Sequence, residues 1–377
     1  MNDASTTLAD TLDRLTRPGE LYHRLEDGSV RCFACAHRCL IRPGRRGVCQ
    51  VRFNREGVLY VPHGYAAGVQ IDPIEKKPFN HVMPGSDALT FGMLGCDLHC
   101  SYCQNWVTSQ FLRDSAAISA ISTTSASNLV EAALRSGAST VVSSYNEPLI
   151  TAEWATEVFR QARGRGLLCG FVSNGNATAE TLDFIRPWAQ CYKIDLKTMN
   201  DRNYRQLGAV LSHILDGIGM VHERGFWLEI VTLVIPGFND SKAELRQAAE
   251  FIASVSPDIP WHVTAFHQDY KMTDPRDTTA RDLVQAAEIG KEAGLRFVYA
   301  GNLPGRVGPW ENTYCPVCNH LLIERYGYVL LAYHLTSTGD CPACGARIPG
   351  LWPRSPAEVR LGETSGWFSR TPKRVRV

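Results

Sequence analysis

The sequence predicts an α/β fold: repeated βα units wound into a barrel, whole or partial and of the (βα)6 type, with a cysteine-rich segment before it and a zinc-ribbon-like module after it. Three observations carry this. Between about residues 87 and 303, short β-branched or apolar runs alternate with amphipathic segments, the rhythm of βα units around a parallel sheet. That rhythm is missing from residues 1–62 and from the region after 311. Eleven of the 13 cysteines fall into three clusters, one in each region so defined.

Taken in order, residues 1–62 form the cysteine-rich segment, 63–310 the core, 311–355 the ribbon-like module and 356–377 a basic tail. The candidate strands of the core are ALTFGM (88–93), STVVSS (139–144), LLCGFVS (167–173), CYKIDL (191–196), WLEIVTLVI (227–235), WHVTAF (261–266) and RFVYA (296–300). Between them, ASNLVEAALRSG and DLVQAAEIGKEAG carry apolar residues at three- and four-residue spacing and end in Gly, as helices do. In a βα barrel the chemistry gathers where the loops leave the C-terminal ends of the strands. Here those positions hold Gly95-Cys96, YNEP (145–148), SNGN (173–176), DLK (195–197), IPGFND (235–240), FHQDYKM (266–272) and GNLPG (301–305), a rim rich in polar, ionisable and Gly residues.

Composition narrows the function classes. With 44% hydrophobic and 20% charged residues the chain is neither disordered nor membrane-embedded, and MNDASTTLADTLDRL offers no basic start or apolar run for a signal peptide or anchor. A cytoplasmic location is expected, where clustered thiols bind metal more often than they form disulfides. A net charge of +1 and no long basic block argue against nucleic-acid and membrane partners. Cys169 and Cys191, outside the clusters, are expected to pack in strands.

The loop GCDLHCSYCQNW places Cys96, Cys100 and Cys103 in a C-x3-C-x2-C array directly after the first core strand. Three thiolates on a four-iron cubane leave one iron free for another ligand, whereas closed clusters use four cysteines. The array, with the aromatic Tyr102 before its last cysteine, resembles the radical S-adenosylmethionine (SAM) superfamily. That resemblance implies a [4Fe-4S] cluster whose open iron chelates SAM and, once reduced at about −400 mV or lower, cleaves it to a 5′-deoxyadenosyl radical that abstracts hydrogen from a substrate. A low-potential donor of flavodoxin or ferredoxin type is implied with it. By type and position, Glu147 and Asn146 stand where the superfamily has its GGE-like motif and are expected at the SAM ammonium. Ser173, Asn174, Asp195 and Lys197 are expected at its carboxylate and ribose, and the backbone around Ile235 and Gly237 at its adenine. His267 and Tyr270, past the strand WHVTAF, are candidates to face the substrate.

The similarity reaches further. DPIEKKPFNHVMPGSDALTFGMLGCDLHCSYCQNW, EIVTLVIPGFNDS, PWHVTAFHQDYKM, YAGNLPG, NTYCPVC and CPACGARIPGLW together resemble the radical enzyme of the AmmeMemoRadiSam system, over most of the chain from Cys32 to Trp352. That family is named for AMMECR-type and Memo-type neighbours, which are implied partners, and is related to pyruvate formate-lyase activating enzymes, which make a glycyl radical on a partner protein. LLCGFVSNGN and Met93-Leu94 depart from the common family pattern without removing a ligand.

The outer clusters are expected to bind metal. Cys315, Cys318, Cys341 and Cys344 make two C-x2-C knuckles flanking a strand-like ERYGYVLLAYHL, a zinc ribbon in form, with iron or an auxiliary cluster as alternatives. Cys32, Cys35, Cys39 and Cys49, with His37 among them, suit a structural zinc or an auxiliary iron–sulfur cluster. The leading function is thus an oxidoreductase- or lyase-type radical SAM enzyme acting on a small molecule, peptide or protein. A glycyl-radical activase is the alternative, and a zinc-ribbon binding module without radical chemistry stands behind both. A methyltransferase ranks low, since no cobalamin domain fits before Cys32.

Overall fold

The computed structural model describes residues 8–117, 119–362, 373–375 and 377. Its centre is one sheet whose strands follow the chain: β1 Gly68–Pro73, β2 Asp87–Gly92, β3 Thr140–Ser143, β4 Leu168–Ser173, β5 Cys191–Asp195, β6 Trp227–Val234, β7 Trp261–Ala265 and β8 Val298–Gly301. Neighbours from β2 to β8 are parallel, β1 is antiparallel to β2, and Lys373–Arg374 adds a short antiparallel strand beyond β1. The seven strands expected from sequence are all present, their ends within two residues of expectation; β1 is an addition. Among the described residues the sheet is open, with β8 and Lys373–Arg374 as unpaired edges. Of the expected basic tail, residues 363–372 and 376 lie outside the described residues.

The core strands are buried on both faces, which is why β3 reads as an unbroken TVVS and β7 as WHVTA. Helices α1 Ala126–Arg135, α2 Ala152–Gly164, α3 Ala179–Ile185, α4 Asp201–Leu207, α5 Leu211–Glu223, α6 Lys242–Val255 and α7 Ala280–Glu292 make the crossovers. Their ends are specified locally: Ser125 accepts from the Asn128 amide, and Thr279 and Asp282 form a reciprocal capping box, each worth about 1 kcal/mol.

The N-terminal segment is two small antiparallel sheets, Thr16–Pro18 with Val58–Pro62 and Phe53–Arg55, and Tyr22–Arg24 with Val30–Cys32 and Leu40–Ile41. Its Val30, Ile41, Leu59 and Val61 belong to the same buried cluster as the central sheet, so the boundary expected at residue 62 does not divide the core. Thr178 and Thr181 donate to the Phe33 carbonyl and the Ala36 amide donates to Asn176, fastening this segment to the loop between β4 and α3. After β8 come β9 Thr313–Tyr314, β10 Leu321–Tyr326 and β11 Val329–Tyr333, an antiparallel hairpin sheet. It has its own small core, into which Phe297 and Tyr299 of the β8 edge also pack.

Candidate active site

The loop after β2 begins with Gly95 at φ +95°, a left-handed turn that only Gly makes without strain and in which a Cβ would stand 2.9 Å from Val51 Cγ1. It delivers Cys96, Cys100 and Cys103 to the C-terminal end of the sheet. The Leu98 amide donates to Cys96 Sγ at 3.4 Å and Ser109 Oγ lies 3.1 Å from Cys103 Sγ. Burial pushes the Cys100 thiol up to about 12, and burial with Asp97 and Glu147 raises Cys96 well above its ordinary value. One buried and two half-buried thiols that resist ionising alone need a cation to become thiolates, so the donor set fits an iron–sulfur cluster.

Cys100, Tyr102 and Cys103 line a cavity of about 1040 Å³ at the strand ends. Asp195, Lys197 and His267 are also on its wall. Asp195 is paired with both Lys193 and Lys197; burial alone would raise its carboxyl, but the two lysines outweigh it and hold the carboxyl low. Lys197 in turn feels Cys100 and Tyr102, which with Asp195 keep it protonated against its burial. A cation beside the cysteine loop stabilises thiolates there. His267 Nε2 is 3.2 Å from Gln104 Nε2 of the cysteine loop.

Other expected residues turn away from the cavity. Asn146, Glu147, Ser173 and Asn174 form a buried network behind it. Glu147 Oε1 accepts from Ser173 Oγ at 2.7 Å and the Leu149 amide at 3.1 Å, and Oε2 accepts from the Asn174 amide at 2.7 Å. Burial, reinforced by Asp97, pushes Glu147 up to about 8. Asn174 Nδ2 and Asn176 Nδ2 each donate to Asp97, and Asn146 Oδ1 accepts from the Met93 amide, so the network orders the cysteine loop from behind. Ile235 is fully buried with its amide donated to Asn239 Oδ1, and Gly237 lies in a turn closed by Asp240; β6 offers Val231 and Leu233 to the wall instead. Tyr270 is also displaced: its hydroxyl donates to Asp114 at 2.6 Å and its ring stacks on Trp106 at 5.1 Å. With the Lys271 amide on the Ser101 carbonyl, it clamps the loop after β7 onto the cysteine loop.

Several wall residues were not singled out in the sequence: Lys77, Tyr145, Lys193, His262, Tyr299 and Arg325. A signal existed for two, because Lys193 in CYKIDL and His262 in WHVTAF are ionisable residues inside otherwise buried strands. His262 Nε2 lies 2.6 Å from Glu229 Oε2, whose oxygens also accept the amides of Asn80 and His81. Arg325 donates to the Asn80 carbonyl and Thr313 Oγ1, bringing the β10–β11 hairpin tip, with Gly327 and Tyr328, onto the cavity.

The outer cysteines differ in geometry. Cys315 and Cys344 sulfurs are 3.6 Å apart and Cys318 and Cys341 sulfurs 3.7 Å apart, and all four lie within 4.8 Å of one another. A tetrahedral ion at about 2.3 Å from each sulfur requires separations of about 3.8 Å. The site therefore fits a single tetrahedral metal. Among the described residues no other set of three or more ligand atoms converges so closely. Cys32, Cys35, Cys39 and Cys49 form a looser group, in which burial and then Asp97, Cys32 and Cys49 raise Cys35. Cys169 and Cys191 are buried in β4 and β5.

Comparison with known proteins bears on the same region. The Radical SAM superfamily model matches residues 91–252. An uncharacterized protein of Methanocaldococcus jannaschii is 34% identical over 335 residues, covering 88% of this chain and 98% of its own. The isethionate sulfite-lyase activating enzyme of Desulfovibrio desulfuricans is 29% identical over 36% of this chain and 43% of its own. The pyruvate formate-lyase-activating enzyme of Staphylococcus aureus is 24% identical over 46% of this chain and 72% of its own. Among solved structures, a radical SAM methyltransferase from Sphaerobacter thermophilus aligns at 16% identity over 63% of this chain and 71% of that chain, with a TM-score of 0.45.

Proposed function

The chain belongs to the radical SAM superfamily, and from that premise we propose that Cys96, Cys100 and Cys103 hold a [4Fe-4S] cluster and that SAM binds across the cavity beside them. The observation that carries the reading is the meeting of Cys100, Cys103, Asp195 and Lys197 on one wall at the strand ends. Held by these cysteines and reduced by a flavodoxin- or ferredoxin-type donor, such a cluster would supply the electron for reductive cleavage of SAM's sulfonium C–S bond and so for hydrogen abstraction from substrate.

The chain's own residues do the rest. Lys197 and Asp195 offer a cation and a carboxylate to SAM's amino-acid and ribose groups. Glu147, with Ser173 and Asn174, holds Asp97 and the cysteine loop from behind. Tyr102 and the clamp at Tyr270 keep water from the cysteine loop, and His267 stands at the cavity mouth toward substrate. We read the open sheet as a partial barrel, the C-terminal metal as zinc and the N-terminal cysteines as a zinc or auxiliary iron–sulfur site. We place the chain in the AmmeMemoRadiSam family, working in the cytoplasm with AMMECR-type and Memo-type partners. No helix among the described residues is long and apolar enough to cross a membrane.

The test is chromatographic detection of 5′-deoxyadenosine after anaerobic cluster reconstitution with SAM and dithionite. The wild type is expected to form it and a Cys96/Cys100/Cys103→Ala variant to form none. Equal product from both would sink the reading. A second reading, a glycyl-radical activase, is favoured by the similarity to two activating enzymes. It predicts a glycine-centred doublet in the electron paramagnetic resonance spectrum of a partner protein rather than a modified small product.

A further inference from the structure

Along the cavity wall and just beneath it, from the Asp195 rim inward, four ammonium groups meet two carboxylates. Lys77 Nζ is 2.6 Å from Asp72 Oδ2, and Lys76 Nζ is 2.9 Å from Asp72 Oδ1. Lys193 and Lys197 likewise share Asp195. Lys77 and Lys193 both line the cavity, yet each side chain is only 5% exposed. Their mutual repulsion is felt. Burial, with Lys76 and Lys193, pulls Lys77 down to about 8 despite Asp72, and burial with Lys197 lowers Lys193.

Other carboxylates stand around this floor, each accepting from backbone amides. Glu147 is engaged by the three donors described above. Glu311 accepts the amides of Gly305 and Gly327, and Glu75 accepts the Gly85 amide. Asp277 is exposed at the mouth and accepts the Gln268 amide. Tyr145 is held at φ +69°, a conformation costly for an aromatic residue, with its hydroxyl 2.7 Å from Asp72 Oδ2 and its ring beneath Lys77 Nζ at 4.6 Å. The strained tyrosine thus forms the seat from which Lys77 faces the cavity.

The backbone of Lys193 is two residues before Asp195 on the same face of β5, about 6.6 Å further from the rim at the rise of a strand, and its ammonium reaches up to Asp195 from below while Lys197 meets the same carboxylate from the rim. A cavity of about 1040 Å³ is at the upper limit of the ~300–1,000 Å³ that one ligand fills, which leaves room for a second molecule beside SAM.

We propose that Lys77 and Lys193 form an anion subsite at the floor of the cavity and that the substrate is anchored there by a carboxylate, an inference that rests on SAM occupying the rim above it. An anchored carboxylate would accept from Lys77 and Lys193 and fix which substrate hydrogen faces the rim. The carboxylate belongs either to a small organic acid or to an acidic residue of a peptide segment threaded into the cavity.

The test is calorimetric titration of the full chain with its cluster reconstituted but without SAM or reductant, so its outcome is independent of SAM cleavage. The probes are succinate against succinamide, and a blocked heptapeptide with a central glutamate against its glutamine counterpart. One acid is expected to bind saturably and at least tenfold more tightly than its amide. Binding of succinate identifies a small acid, and binding of the glutamate peptide alone identifies a chain segment. Lys193→Gln, which leaves Asp195 paired to Lys197, is expected to weaken binding tenfold or more, and Lys193→Arg to retain it. Asp72→Asn with Lys77→Met removes lysine and carboxylate together, leaves no buried charge alone and is expected to weaken binding similarly. Equal affinity for acid and amide, binding that survives both charge-removing variants, or no saturable binding of either acid overturns the proposal.

Discussion

Replacing Glu153 by Ala is predicted to cost about 3–5 kcal/mol, because it strands a guanidinium in the core. The Arg52 side chain is 1% exposed and the Glu153 side chain fully buried. Their bond is bidentate, Nη1 to Oε2 and Nη2 to Oε1, both at 2.7 Å, and the further acceptor for Arg52 is the Ile150 carbonyl at 3.1 Å. Burial would raise the Glu153 carboxyl, but Arg52 outweighs it and keeps Glu153 ionised, while the arginine stays charged whatever its surroundings. Without the carboxylate the charge has no neutralising partner, and a loss of about 4 kcal/mol is roughly a thousandfold in the folding equilibrium. Arg52→Met with Glu153→Leu removes both charges and is expected to stay within about 2 kcal/mol of wild type. Its residual cost is the Glu20 and Leu21 amides, which lose their long 3.3 and 3.4 Å contacts to Glu153 Oε1. The assay is anaerobic urea unfolding followed by circular dichroism, with thiol labelling at Cys32 and Cys49, since Arg52 lies beside both. A single variant within 1 kcal/mol of wild type, or a double variant as unstable as the single, refutes the reasoning.

Other outcomes follow from the same geometry. Lys77 is pulled down from 10.5 to about 8 by burial, so between those values the unfolded chain holds a proton that the folded one has released. Stability therefore rises with pH across that window, by on the order of 3 kcal/mol, and the rise should vanish in the Asp72→Asn, Lys77→Met variant when urea midpoints are compared at pH 7.5 and 10. Arg325→Met should cost about 2–3 kcal/mol and leave the Asn80 carbonyl and Thr313 hydroxyl short of a donor, detected as faster hydrogen exchange at residues 79–82. Cys318→Ser should lower bound metal by one equivalent in elemental analysis while leaving iron loaded at the proposed Cys96 loop site unchanged; loss of both would show that the two sites are not independent.

Much of this architecture is legible in the sequence because burial on both faces forces continuous β-branched runs, and each run ends where Gly or a polar pair begins. The C-x2-C knuckles are legible for a similar reason: each closes locally, Cys315 with His320 and Cys341 with Ala346, so spacing alone encodes the turn. The strand β1 is not legible, since GVQIDP mixes Gly, Asp and Pro and takes its place only by pairing with β2. Side-chain direction is illegible in principle at the rim. Glu147 and Tyr270 both follow strands, as active-site residues do, yet each finds a buried or stacked partner distant in sequence, Asn174 and Asp114, that outcompetes the cavity. Lys77 escapes notice because nothing in its own neighbourhood predicts Tyr145 or Lys193 beside it.

The C-terminal module is part of the site's wall rather than an appendage. The central sheet is open between β8 and the Lys373–Arg374 strand that lies beside β1, and a gap there would admit water to any radical formed inside. The structure fills that side from both directions. His81 is buried with Nδ1 2.7 Å from the Pro349 carbonyl and Nε2 2.7 Å from Tyr299 Oη, while Tyr299 Oη lies 2.8 Å from Thr313 Oγ1. Burial holds His81 down to about 4, so it is neutral and can donate at one nitrogen and accept at the other. The Met83 amide donates to Leu351 and the Leu351 amide to His81, tying the stretch after β1 to the stretch after the second knuckle. Through these bonds the hairpin tip at Arg325, Gly327 and Tyr328 is held against the cavity, and the four-cysteine metal site fixes the two ends from which the hairpin springs. A metal held by the four cysteines, none of which lines the cavity, would therefore shape the chamber from outside it, and its removal should disturb ligand binding before it unfolds the central sheet.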